Sequence, residues 1–156
     1  MKCTLIDHIN AVKCFKNGAK QACPESPEQP SDKDKIAAIR LLVEETIEMA
    51  NALGINIICS SNSETKILNS ANDLSYQVFA PADIVEVADA AVDIMWVGVT
   101  GPMALCGISD KLEACLKAVD ENNLLKIANG TLCPDTGKFI KPKDHPKVDL
   151  ESIIDV

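Results

Sequence analysis

The chain has 156 residues, 47% of them hydrophobic, enough to bury the core of one domain and short for two. Aromatic residues make up only 3%, so the core is built from Ile, Leu, Val, Ala, Met and Cys, which suits packed helices better than a β-sandwich. A formal net charge of -8 disfavours nucleic-acid binding through a basic surface but leaves small phosphate substrates open, because a bound divalent cation inverts the local field.

Residues from about 4 to 20 are expected to be helical, with Leu5, Ile9, Val12 and Phe15 on one side. The three prolines between Ala22 and Pro30 exclude a helix interior there. Ser31 reads as an N-cap with Asp32 and Asp34 in the first turn, and a long helix then runs to about Leu53, where Gly54 stops it. Ile55–Cys59 reads as a short strand or a buried turn, Ser60–Ser63 as a loop, and 65–79 as a short helix.

Pro81 suits the first position of a helix that continues to about Cys106. Gly98 and Gly101-Pro102 inside that span predict a kink or break. This segment is apolar nearly all round and is expected to be buried in a bundle; Glu86, Asp89 and Asp93 argue against a membrane span. Ser109 is expected to cap a further helix to about Asn129, with Leu112, Cys115, Leu116 and Val119 apolar. Thr131–Cys133 and Lys138–Ile140, separated by the turn sequence Pro134-Asp-Thr-Gly137, predict a small hairpin.

The seven cysteines contain no Cys-x-x-Cys pair, and His8 and His145 have no cysteine at zinc-ligand spacing. Lys2, Asp7 and Lys13 interrupt any signal-peptide core. A reduced, cytoplasmic protein is the expectation. Neither a dinucleotide-binding Gly-x-Gly-x-x-Gly nor a P-loop occurs.

The chemistry is concentrated in two acidic groups. Glu44, Glu45 and Glu48 share one sector of the first long helix. Such a run alone reads as a solvated face. Asp89 and Asp93 are four apart on the apolar helix, with Glu86 one turn earlier. Buried carboxylates need compensation, from Arg40 and lysines or from a metal. Oxygen-only ligands select Mg²⁺ or Mn²⁺ rather than zinc. Two antiparallel helices presenting these acids to one cleft would hold a cation able to bridge a polyphosphate.

Arg40-Leu-Leu-Val-Glu44-Glu45-Thr-Ile-Glu48 resembles the Glu-Glu-x-x-Glu helix of the all-α NTP pyrophosphohydrolases, the superfamily of MazG-like and phosphoribosyl-ATP pyrophosphohydrolase-like proteins. Asp89-Ala-Ala-Val-Asp93-Ile-Met-Trp-Val resembles its second acidic helix, and Asn123-Leu-Leu-Lys126 the Asn-x-x-Lys of the next. Asp135-Thr-Gly137-Lys138 with Lys141-Pro142 resembles the closing hairpin of the phosphoribosyl-ATP branch. The similarity spans about residues 10 to 150.

The resemblance implies an all-α bundle with a C-terminal hairpin over residues 1–156, assembled as a homodimer or homotetramer. It implies Mg²⁺-dependent cleavage of an NTP or dNTP to monophosphate and pyrophosphate. Glu45, Glu48, Asp89 and Asp93 would hold the metal, Glu44 or Glu48 would be the general base, and Asn123, Lys126 and Lys138 would contact substrate. The family's second motif is Glu-x-x-Asp. With Asp93 as its aspartate, the glutamate position is Ala90, so Asp89 and Glu86 both remain candidates for the fourth ligand. That departure supports the alternative of a non-catalytic nucleotide- or metal-binding protein of the same fold. Trp96, Phe15 and Tyr76 are candidate base contacts or core residues.

Overall fold

The structure, a computed structural model, describes residues 4–58, 71, 74–134 and 139–155. It is mostly helical, with two short antiparallel strand pairs. Two compact units emerge from its internal contacts: Met1–Gln29 with Met103–Val156, and Pro30–Pro102. Among the described residues no helix is long and apolar enough to cross a membrane.

The unit formed by Pro30–Pro102 contains both acidic groups. Helix α2 (Asp32–Ala52) starts at Ser31, whose hydroxyl accepts from the Asp34 N–H. It ends because Gly54 takes a positive φ of 72°. A Cβ at Gly54 would also lie 1.9 Å from the Ala80 carbonyl oxygen, so only glycine fits. Strand β1 (Ile55–Ile58) pairs antiparallel with β2 (Ser75–Val78), Ile55 facing Val78 and Ile58 facing Ser75. Residues 55–58 are thus a strand rather than a buried turn. Of the stretch 65–79 expected to hold a short helix, residues 75–78 form strand β2 instead, and residues 65–70, 72 and 73 lie outside the described residues. The Gly54 carbonyl accepts from the N–H groups of Phe79 and Ala80, which leads the chain from β2 back to the end of α2.

Helix α3 (Ile84–Ile94) begins later than proline placement predicts. Its N-cap is Asp83, whose Oδ1 accepts from Val85 N at 3.0 Å and Glu86 N at 3.3 Å. Capping by a carboxylate outweighs the preference of Pro81 for the first helical position. The expected break is a π-helical stretch, Met95–Thr100, followed by the short helix α4 (Gly101–Leu105). The Gly101 N–H bonds back to the Trp96 carbonyl, five residues earlier. A Cβ at Gly98 would lie 2.6 Å from Leu42 Cδ1, so this glycine lets the backbone come close to α2.

Helices α2 and α3 pack antiparallel. Leu42 meets Gly98 at one end, and at the other the Asp83 N–H donates to the Ala52 carbonyl at 2.7 Å. The bundle burial expected of α3 is not what the chain shows. Ala90 is its buried residue, whereas Ile84, Val85 and Val92 are exposed. Within the Pro30–Pro102 unit α2 covers one side of α3, and the apolar sequence of α3 extends around its other sides.

In the other unit, α1 (Leu5–Gly18) is opened by a capping box between Thr4 and Asp7 and buries Ile9 and Val12. Phe15, expected on the same stripe, is exposed. The proline-rich segment is held by a Lys13–Glu25 ion pair of 3.0 Å and by Glu28 N–H donating to Cys106 O. Ser109 does not cap a helix directly. It is buried and opens a 3-10 turn, Ser109–Lys111, that leads into α5 (Leu112–Asn129). Leu112 is buried, Cys115 and Val119 are half-buried, and Leu116 is exposed. The C-terminal hairpin pairs β3 (Thr131–Leu132) with β4 (Phe139–Ile140). A last turn, α6, covers Glu151–Ile154. The tail before it is tied to α5, where Asn122 donates to Pro146 O and its Oδ1 lies 2.9 Å from His145 Nε2.

Candidate functional site

The antiparallel register of α2 and α3 brings the two acidic groups of the sequence together. Glu45 lies between them. It is half-buried, while Glu44 and Glu48 on either side of the same helix are exposed. Its Oε2 is buried and has no hydrogen-bond partner among the described residues. Burial pushes the Glu45 carboxyl above the usual carboxylate range, and the charges of Glu48, Asp93, Glu44 and Asp89 push it the same way. Four negative neighbours therefore bear on one carboxylate: two from its own helix and two from α3.

An open cleft of about 410 Å³ continues from this cluster toward Asp83 at the start of α3. It is lined by Glu48, Asn51, Ala52, Asp83, Glu86, Asp89 and Ala90. No Lys, Arg or His is in that lining. Arg40, the nearest cation along α2, makes no ion pair among the described residues. The compensation open to Arg40 and the lysines in the sequence is thus not made by Arg40.

The donor chemistry fits a hard divalent cation. All the donors are carboxylate oxygens, and an orphaned buried oxygen beside four like charges is the group a cation would satisfy. A finished shell is not assembled: among the described residues no three His, Cys, Asp or Glu side chains converge closely enough to hold a metal ion. Mutual repulsion acts to keep such carboxylates apart.

Glu44, Glu45, Glu48, Asp89 and Asp93 are thus neighbours in one unit. Of the two candidates for a fourth ligand, Asp89 bears on Glu45, whereas Glu86 lies one turn further along the cleft toward Asp83. Ala90, at the position where the resemblance implies glutamate, is buried in the cleft wall and offers no donor. Asn123 and Lys126 belong to the other unit, on α5, where the Lys126 ammonium donates to Asn123 Oδ1. Lys138 lies outside the described residues. Trp96 is half-buried, and Tyr76 is exposed with its hydroxyl donating to Ala71 O at 3.1 Å. Phe15 and Tyr76 are therefore not core residues.

Two lining residues escape a reading of acidic motifs. Asn51 stands one turn after Glu48, on the same side of α2, and that spacing was the available signal. Asp83 enters the cleft because it caps α3, and its position just before an apolar helical run marked it. Compared with models of known families and with curated proteins, the chain matches none.

Proposed function

We propose that the chain is a cytoplasmic, Mg²⁺-dependent nucleotide pyrophosphohydrolase that works as a homo-oligomer. The observation that carries this reading is Glu45, whose buried, unpartnered Oε2 is surrounded by the charges of Glu44, Glu48, Asp89 and Asp93. Glu45, Glu48, Asp89 and Asp93 would hold Mg²⁺, or Mn²⁺ in its place. When bound, the cation neutralises a polyphosphate and lowers the pKa of a water.

Glu48 is exposed and lines the cleft, which favours it over Glu44 as the general base. It takes the proton as the water oxygen bonds to the α phosphorus of an NTP or dNTP. The bond from that phosphorus to the bridging oxygen breaks, and the products are nucleoside monophosphate and pyrophosphate. Asn123 and Lys126 are assigned to substrate contact, with Lys138, on the strength of the Asn-x-x-Lys resemblance.

Ala90 supports a second reading. A cleft wall without a carboxylate at that position suits a protein that binds metal or nucleotide without turnover. Pyrophosphate release from a panel of canonical and modified NTPs and dNTPs separates the two. Release that needs Mg²⁺, stops with EDTA and is lost in Glu48→Gln supports the enzyme. Mg²⁺ binding without release from any nucleotide supports the second reading, and no Mg²⁺ binding rules out the metal site.

A further inference from the structure

The cleft beside the acidic cluster has two ends of different chemistry, and all of its lining lies within the Pro30–Pro102 unit. Glu48 and Asp89 stand at the cluster end. At the other end the Asp83 N–H meets the Ala52 carbonyl, and the lining there is Asn51, Ala52, Asp83 and Glu86. That end repels phosphate, because its charged groups are carboxylates and no Lys, Arg or His joins them. The N–H groups at the start of α3 are the other donors an anion could use, but those of Val85 and Glu86 already donate to Asp83 Oδ1. A nucleobase finds no stacking surface either, since the lining contains no aromatic residue.

Two side chains at this end keep their hydrogen-bonding groups open. The Glu86 carboxylate and the Asn51 amide make no hydrogen bond or ion pair among the described residues. An ionised carboxylate only accepts, whereas an amide nitrogen donates. A hydroxyl group uses both at once, because it gives one hydrogen and accepts another. Ribose carries two such groups side by side, and 2′-deoxyribose lacks one of them. Asn51 follows Glu48 by three residues, a rise of about 4.5 Å along the helix. That step is comparable with the separation between the α phosphorus of a nucleotide and its sugar hydroxyls.

We infer that this end of the cleft reads the sugar and that the substrate class is ribonucleotides. Glu86 accepts the hydrogen of one ribose hydroxyl, and Asn51 Nδ2 donates to a hydroxyl oxygen. The inference rests on the Mg²⁺–nucleotide site proposed above and adds to it a choice of ribose over 2′-deoxyribose. The phosphates then lie toward Glu45, Glu48 and Asp89, where the cation meets them.

Calorimetric titration of the full chain in Mg²⁺ tests this with α,β-methylene analogues of the four common ribonucleoside triphosphates and of their 2′-deoxy counterparts. For the base that binds best, the ribose form should bind roughly tenfold or more tighter, the usual worth of a hydrogen bond to a charged group. Glu86→Ala and Asn51→Ala should each bring the two forms close to equal, mainly by weakening the ribose form. Mg²⁺ binding without nucleotide should stay at the wild-type level in both variants, which separates a lost sugar contact from a lost metal site or a lost fold. Equal binding of the two forms by the wild type, or tighter binding of the deoxy form, would overturn the inference and leave the metal–nucleotide reading standing. So would a ribose preference that survives in both variants. A variant that loses Mg²⁺ binding would assign its side chain to the metal instead of the sugar. A wild type that binds none of the analogues would overturn the nucleotide reading and this inference with it.

Discussion

The backbone N–H of Asp83 donates to the carbonyl of Ala52 at 2.7 Å, joining the last residue of α2 to the N-cap of α3. This bond and the Leu42–Gly98 approach hold the two acidic helices in register. They place Glu45 opposite Asp89 and Asp93 without any direct contribution from those carboxylates.

The same residue caps α3 with its side chain, so its removal should be felt in stability. Asp83→Ala is expected to cost about 1 kcal/mol, the usual worth of an N-cap. Asp83→Asn keeps the accepting oxygen and should recover most of that loss. Chemical denaturation of the three proteins measures it. Equal losses in both variants would show that charge, and not the cap, is what α3 needs.

Glu45→Gln removes a charge that burial and four acidic neighbours oppose. In EDTA at neutral pH the variant should melt at a higher temperature than the wild type. Added Mg²⁺ should raise the wild-type Tm and leave the variant nearly unchanged. Thermal unfolding with and without Mg²⁺ reads both effects. A wild type that Mg²⁺ does not stabilise would remove the support for Glu45 as a ligand.

The pH dependence of stability should have two arms. Glu45 has a raised pKa in the folded state, so the fold gains stability as pH falls through that value and the proton goes on. Asp7 moves the opposite way. The Thr4 backbone N–H and then the Thr4 hydroxyl hold its carboxyl below the usual range. Asp149 is lowered too, by hydrogen bonds from the Ser152 hydroxyl and backbone. These two contribute stability above their unfolded pKa and lose it as pH falls through their folded values. Without metal, Tm should therefore rise on mild acidification from neutral and fall on further acidification. Glu45→Gln should abolish the rise, and Asp7→Asn should shrink the fall.

Much of the local structure was legible in the residues. Ser31 and Gly54 mark helix ends through bonds or angles that reach only a few positions along the chain. The break near Gly98 and the C-terminal strand pair follow from equally local signals. Where local signals compete, the reading failed. Pro81 and Asp83 both suit a helix start, and the carboxylate won through its bonds to Val85 and Glu86. Residues 75–78 became a strand because β1 offered them a ladder, which their own side chains do not announce.

By itself the sequence determined a mostly helical chain with Glu44, Glu45 and Glu48 on one helix and Asp89 and Asp93 on another. Helical period and capping chemistry suffice for that. Only the tertiary structure decided which of the three glutamates is half-buried, because the difference depends on how α2 turns toward α3. Tertiary structure also decided that Asn51 and Asp83 share a cleft with Glu48, Glu86 and Asp89, since the register comes from the Asp83–Ala52 bond and the close approach at Gly98. It decided, too, that α3 is largely exposed: an apolar sequence says that a surface needs covering, and packing alone says whether the chain covers it.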